Sequence, residues 1–498
     1  MVRSSRLVSG LRVFAGFLAV LSLAGSAVAQ EAWDSVYIGG VKAGYIRLRV
    51  EPLSDKGREL IRVRYDLVLK LKRDKDQVTI QQQWGTLEKP DGEVLKLETR
   101  TLAGQEDMRS YGEVDHDKMT LVLSSGGQKQ QVTIPWGVDV RGPYAAELSL
   151  SRQPIKPGET REVKTFLPEL KKVCTTALFA KQVEDIVLGG GQTRSLLRIE
   201  SKVSDPDGKT LPGMDTTYWI DDGGQILKSF TDAFGGMETY RTTREAAVDL
   251  SNPAKLDLLR STILRVKSKI PQPDQTRNIV YRVTMKGDEP AKIFPEDERQ
   301  KVKSTGDVHS VILEVRTASR NQGAQGPEEV SAEYLRSNVF VDTEDPKVKE
   351  LTRKAVGNLN DPWQKAAAIE KWVHKNIRDK NFGVTFASSR EVARNLKGDC
   401  TEHSVLTAAM CRVAGIPTRM AVGVVYAEPL GGFGFHMWNE VYIDRRWVAI
   451  DSTFDETEVD ATHIKLLETS LDGASPTGTF LPVVSVSNKT TLEPIEIR

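Results

Sequence analysis

Between about residues 31 and 250, hydrophobic and polar positions alternate. Ile61, Val63, Tyr65, Leu67, Leu69 and Leu71 alternate with mostly polar or charged residues over eleven positions. That period predicts a long strand with one buried face. Tyr45 to Val50 predicts a shorter strand. Turn signals recur at Pro90-Asp91-Gly92, Asp205-Pro206-Asp207-Gly208 and Asp221-Asp222-Gly223-Gly224. The last divides Tyr218-Trp219-Ile220 from Gln225-Ile226-Leu227, as in a hairpin. Few windows here have a helical period, so a large antiparallel sheet is expected, curved or sandwiched. The region holds no catalytic constellation; its His116 stands beside charged residues and reads as solvated.

A helical stretch is expected from about 253 to 269, ending at Pro271-Gln272-Pro273. Strands follow near 278–285 and 309–316, and Ala318 to Pro327 reads as a linker. Beyond about 330 the texture becomes helical. Asp345-Pro346 and Asp361-Pro362 each set an N-cap residue before a proline at the first helical position. Val348, Leu351 and Ala355 line one face of the first helix. Trp363, Ala366, Ile369/Glu370 and Val373, with Ile377, line the second. Ser388-Ser389-Arg390-Glu391 is a capping box for a third, short helix that stops at Gly398. The expected fold class is multidomain α+β. A leader spans 1–29, a β-rich domain 30–252, a helical connector with a small β segment and linker 253–328, and an α+β domain 329–498.

Composition adds two constraints. Hydrophobic residues are 39% and charged residues 28% of 498, a globular profile able to form more than one core. Lys+Arg is 69 against Asp+Glu 68, so no electrostatic footprint for nucleic acid is expected. Arg3, Arg6 and Arg12 precede an apolar run from Val13 to Leu23, and Ala27-Val28-Ala29 supplies a cleavage pattern. This predicts a secretory signal, a mature chain starting near Gln30, and a periplasmic or extracellular destination. Ser26 stands where a lipoprotein signal requires Cys. No later run is apolar enough for a membrane span, so no stable insertion is expected after cleavage.

Three cysteines remain: Cys174, Cys400 and Cys411. Cys400 and Cys411 fall in one expected helix, about 16 Å apart, beyond disulfide reach. At least one thiol is expected to be free, and in an oxidising compartment a free thiol is either buried or reactive. Burial suits Cys174 and Cys411; reactivity suits Cys400.

The chemistry concentrates after residue 397. In Lys397-Gly398-Asp399-Cys400, Asp399 can cap a helix buried through Val405, Leu406, Ala409, Met410 and Val413. Cys400 then occupies the first helical position. There the helix dipole and unpaired N–H groups favour a thiolate and can stabilise an oxyanion. Downstream, His436, Trp438, Glu440 and Tyr442 alternate on one strand face. With Asp444-Arg445 as a two-residue turn, Ile443 pairs with Arg446 and Asp451 lies opposite Trp438. His436 is then a diagonal neighbour of Asp451, within side-chain reach. Such an Asp fixes the imidazole, and the His can deprotonate a thiol and protonate a leaving amine.

Gly398-Asp399-Cys400, Gly415-Ile416-Pro417-Thr418-Arg419, His436 to Tyr442 and Trp447 to Asp451 occur in that order. With the helix Ala366 to Ile377, they resemble the transglutaminase-like superfamily over about residues 334 to 455. The resemblance implies a papain-like Cys-His-Asp fold, with helices carrying the Cys packed on an antiparallel sheet carrying the His and Asp. It implies Cys400 as nucleophile, His436 as general base and Asp451 as the residue that orients it. Arg419 matches a family arginine and is read as structural or site-lining. Asp399 and Trp438 are expected neighbours of the site.

Other groups attract blander readings. Glu402 favours the helix dipole; His403 reads as solvated or packed; His374 reads as exposed. Asp455 to Asp460 is acidic but lacks calcium-loop spacing and reads as a solvated loop. No His or Cys pair has zinc spacing, and no phosphate loop or dinucleotide fingerprint occurs. No metal or cofactor is expected. The expected function is cleavage of a protein or peptide amide through a Cys400 thioester that passes to water, as in a peptidase or amidase, with transfer to an amine, as in protein cross-linking, as the alternative. A binding or scaffold role for the β-rich region is the competing expectation.

Overall fold

The computed structural model describes residues 29–73, 76–103, 106–211, 213–232, 236–251, 262–317, 326–327, 329–378, 386–487 and 489–498. The expected leader, apart from its last residue, lies outside the described residues. So do most of the expected linker and the first part of the helix expected over 253–269.

The alternating N-terminal pattern forms one antiparallel sheet of fourteen strands among the described residues. The first meander comprises β1 (Gln30–Ile38), β2 (Val41–Asp55), β3 (Arg58–Arg73), β4 (Asp76–Glu88), β5 (Val94–Ala103), β6 (Glu106–Asp115), β7 (Lys118–Ser125) and β8 (Gln128–Pro135). The second comprises β9 (Thr160–Leu167), β10 (Lys172–Val187), β11 (Thr193–Ser204), β12 (Thr216–Ile220), β13 (Ile226–Thr231) and β14 (Met237–Thr242). They join where β1 pairs with β14, leaving β8 and β9 as edges. The expected face of β3 supplies Leu69 and Leu71 to a core with Val36, Ile38 and Ile46. The hairpin expected near Asp221 is β12–β13.

Helix α1 (Ala145–Arg152) packs Ala146 and Leu150 against Leu178, Ile199, Tyr218 and Ile220. Just before it, Arg141 exchanges backbone hydrogen bonds with Lys164 and Phe166 at 2.8 and 3.1 Å, covering part of the β9 edge. A short α2 (Arg244–Val248), capped by Thr243, closes the region.

The rest of the chain builds a second sheet beneath helices. Its members are β15 (Leu264–Val266), β16 (Asn278–Met285), β17 (Gln300–Ser304), β18 (Ser310–Arg316), β19 (Thr418–Ala427), β20 (Gly432–Ile443), β21 (Arg446–Ile450), β22 (Ile464–Thr469) and β23 (Thr490–Ile497). The order is β17-β18-β16-β23-β15-β20-β19-β22, with β21 on β20. The helices are α3 (Pro290–Ile293), α4 (Pro346–Val356), α5 (Pro362–Asn376), α6 (Ser389–Asn395), α7 (Cys400–Val413) and α8 (Pro476–Val486).

Three expectations change here. Leu264–Val266 is a strand, not the end of a helix, because β20 and β23 take up its backbone. The connector's strands also pair into the C-terminal sheet: β16 bonds β23 from the far end of the sequence. The third expected helix ends at Asn395, where Leu396 turns left-handed at φ 49°.

Asp345 and Asp361 cap α4 and α5 as expected, each accepting backbone N–H bonds before a proline. The two sheets meet through Gln128 Nε2 donating to Asp342 at 2.9 Å and Ser475 Oγ donating to the Glu169 carbonyl at 2.6 Å. Leu121 and Phe166 share a core with Phe340 and Phe386. Among the described residues, no helix is long and apolar enough to cross a membrane.

Candidate active site

Cys400 is the first residue of α7, and Asp399 is its N-cap. Asp399 accepts from Thr401 N–H at 2.9 Å, while Glu402 accepts from Asp399 N–H at 3.0 Å. This reciprocal capping box fixes the backbone on which the thiol sits. Gly398, at φ 143°, makes it possible: a Cβ there would lie 2.3 Å from the Glu402 side chain. Glu402 also accepts Ala387 N–H at 2.9 Å. Burial, and then the adjacent Asp399 charge, push its carboxyl well above its usual range.

Helix α7 packs on β20, where Ser404 Oγ donates to Met437 O at 2.8 Å and Asn439 Nδ2 donates to Ser404 O at 3.0 Å. The hairpin has the expected register, Ile443 opposite Arg446, with Asp444 and Arg445 both at positive φ. Two buried groups consequently meet, and His436 Nε2 lies 2.6 Å from Asp451 Oδ2. That contact uses Nε2 and not Nδ1. Burial would raise the Asp451 carboxyl, but the charges and hydrogen bonds of His436 and His463 hold it far below the usual carboxylate range.

His463 has no counterpart among the expected site residues. It is fully buried, with Nε2 3.2 Å from Asp451 Oδ2 and Nδ1 3.1 Å from Asp460 Oδ1. Burial disfavours its charge, yet the hydrogen bonds from the two carboxylates prevail and push the imidazole up to about 9. Asp460 is likewise buried, against the expectation of a solvated acidic loop. The loop folds inward because Glu456 exchanges backbone hydrogen bonds with Asp451. Gly423 of β19 admits β22 closely, since a Cβ there would lie 2.0 Å from Ile464 O. His463 immediately precedes that strand.

The remaining expectations divide. Trp438 is buried in a small cluster with Ala421, Ala449 and Val459, its ring 6.1 Å from His436 and 5.2 Å from His463. Arg419 does not contact the dyad. It pairs with Glu440 at 2.7 Å and stacks over Trp447. Lys465 joins Glu440 at 3.0 Å. His403 is packed, with Nδ1 2.7 Å from Asp399 O. His374 is half-buried rather than exposed, with Nδ1 3.2 Å from Ser452 O. None of the three cysteines is in a disulfide and all are buried; Cys400 keeps 9% exposure. Phe454 is exposed and stacks on His436 at 4.9 Å.

Glu370 of α5 is fully buried, with neither carboxyl oxygen hydrogen-bonded. Burial first, then the charges of Asp455 and Asp451, push it up to about 8. It is therefore neutral in the fold where the unfolded chain ionises it. Stability falls as pH rises from about 4.5 to about 8 and stays lowered above that. Glu370→Gln should match the parent at about pH 4 and exceed it by ~1–3 kcal/mol at about pH 8. Urea melts at the two pH values check this; parallel shifts at both would refute it.

Residues 349–452 match the transglutaminase-like superfamily. A mouse kyphoscoliosis peptidase is 34% identical over 137 residues, 24% of this chain and 19% of that one. An uncharacterized protein of Haemophilus influenzae is 34% identical over 107 residues, 20% of this chain and 29% of that one. The match thus spans less than a third of either relative. A crystal structure of a β-barrel-like protein of a domain of unknown function from Brucella abortus aligns at 14% identity, covering 43% of this chain and 96% of that one, with a TM-score of 0.32. The C-terminal part of the chain contains a domain of the transglutaminase-like superfamily.

Proposed function

We propose that the chain is an exported cysteine hydrolase of protein or peptide amides, with Cys400 as nucleophile, His436 as general base and acid, and Asp451 orienting it. The observation that carries the reading is the buried His436–Asp451 pair at 2.6 Å on the strand against which the Cys400 helix packs. His436 Nδ1 takes the thiol proton, and the thiolate adds to the amide carbonyl carbon. Backbone N–H groups at the start of α7 stabilise the oxyanion. As the C–N bond breaks, the imidazolium gives its proton to the departing amine, leaving a thioester. Water, deprotonated by His436, then adds to the thioester. The acid departs, and the thiolate–imidazolium pair regenerates the enzyme. An amine in place of water would yield a new amide, as in protein cross-linking. Similarity to a protein named a peptidase favours water.

The first strand begins at Gln30, so cleavage after Ala29 would leave the N-terminal sheet intact. That supports export, and sequencing the mature N-terminus from the exported fraction tests it. A binding role for the β-rich region draws support from a concavity of about 650 Å³ on that sheet, lined by Arg49, Arg64, Trp84, Arg100 and Tyr111. The small exposure of Cys400 also requires that the site open for a protein substrate.

The reading is tested by iodoacetamide labelling of the full chain from about pH 4 to about pH 9, locating the alkylated cysteine by peptide mass. Rapid labelling of Cys400 well below pH 8, lost in His436→Ala, is the expected result. An ordinary thiol profile at Cys400 would rule the reading out.

A further inference from the structure

We propose that His463 is a positioning residue for the reaction above: a buried imidazolium that bridges Asp451 and Asp460 and sets how tightly Asp451 holds the His436 proton. The inference rests on the proposed Cys400 chemistry but concerns a residue outside the triad.

The geometry is specific. Asp451 Oδ2 receives two imidazoles, His436 Nε2 at 2.6 Å and His463 Nε2 at 3.2 Å. His463 Nδ1 faces Asp460 Oδ1 at 3.1 Å. With a carboxylate against each ring nitrogen, both nitrogens must donate, which is the imidazolium form. Asp460 is itself fixed, accepting Thr462 N–H at 2.6 Å and Thr462 Oγ1–H at 2.7 Å. The arrangement is buried throughout, where charge–charge effects are least screened.

Other charged and titratable groups surround the pair. Glu456 lies close to Asp460 and His463. Glu370 of α5 feels Asp451 and Glu456. The His436 ring lies 5.3 Å from that of His463. Glu456 is pushed up to about 7, chiefly by burial, and adds little negative charge below that pH.

The consequence follows from sign. A lone Asp451 carboxylate would stabilise a His436 imidazolium with its full charge. The His463 cation neutralises part of that charge and repels a second cation across the carboxylate. His436 therefore surrenders its proton to the leaving amine more readily. Asp451 is also held by two donors, together with Thr453 N–H on Oδ1 at 2.8 Å, which prevents rotation away from His436.

Two variants of the full chain test this. His463→Gln removes the cation and leaves an amide donor. Asp460→Asn keeps the Thr462 contacts and removes the carboxylate that holds His463 charged. The readout is the pH profile of iodoacetamide labelling at Cys400, extended to about pH 10. Its lower inflection marks formation of the thiolate–imidazolium pair and its upper one loss of the imidazolium proton. The upper inflection should rise by about half to one pH unit in both variants, and the lower one by less. Inflections at wild-type positions, with only the amplitude reduced, would mean a packing role and overturn the proposal. Should His463→Gln fail to fold, Asp460→Asn decides alone. A wild-type chain without a low-pH inflection would instead defeat the triad reading, an outcome distinct from either.

Discussion

Cys400→Ala should abolish amide turnover, and His436→Ala should lower it by about ten-thousand-fold or more. The two losses have different origins. Without Sγ no thioester forms, and the N–H groups at the start of α7 retain only their stabilisation of an oxyanion. Without the imidazole, the thiol loses its proton acceptor and the amine its proton donor. Both side chains are nearly buried, yet neither truncation should unfold the domain. Cys400→Ala removes one sulfur atom, and the capping box of Asp399 and Glu402 does not use the Cys400 side chain. Because the residues act as a unit, the double variant should be no slower than Cys400→Ala alone. Turnover of a fluorogenic peptide amide, with release of ammonia from a glutamine peptide measured in parallel, checks both variants. Residual turnover within about tenfold of the parent in Cys400→Ala would assign the activity to another site.

Local pattern carried the site's first layer and no further. The cap at Asp399, the first-turn position of Cys400 and the two-residue turn at Asp444-Arg445 depend on neighbours in sequence. Strand alternation then places His436 beside Asp451. His463 depends on none of these. It reaches Asp451 because the loop from 452 folds back through the Asp451–Glu456 bridge and β22 closes against Gly423. Asp460 ends an acidic stretch with no regular period, which reads as solvent-facing, since the cation that pairs with Asp460 lies three residues beyond it. The strand at Leu264–Val266 was hidden for a similar reason. Its partners, Thr491 and Leu492, lie at the opposite end of the C-terminal region, and their pairing outweighs a helical pattern. The fourteen-strand sheet was legible strand by strand, but the β1–β14 join brings together segments about 200 residues apart.

Asp451→Asn should separate activity from stability in this site, with a large effect on each. The asparagine can keep Oδ1 on Thr453 N–H, so the loop retains its anchor. Its amide nitrogen then replaces Oδ2 and presents N–H groups to His436 Nε2 and His463 Nε2. For His436 this reverses the tautomer: Nε2 must accept, the proton moves to Nδ1, and Nδ1 can no longer take the thiol proton. A fall in turnover of about ten-thousand-fold is expected. For His463 the amide is a donor facing a donor, leaving an imidazolium with Asp460 as its one carboxylate partner at hydrogen-bond distance. Breaking a buried ion pair from one side costs about 3–5 kcal/mol, less whatever His463 recovers by losing its proton. The sign of the pH dependence follows. The His463 imidazole is held up at about 9, so its contribution to stability is complete below about 6.5, its unfolded value, and is lost as pH rises toward about 9. In Asp451→Asn that alkaline loss should shrink, because the charged form has less to gain. Urea melts at about pH 6 and about pH 9, beside turnover at each, distinguish the effects. A variant that keeps turnover within about tenfold of the parent would remove Asp451 from the mechanism, whatever its stability. One that loses turnover but retains the parent's alkaline slope would show that His463 draws its charge from Asp460 alone.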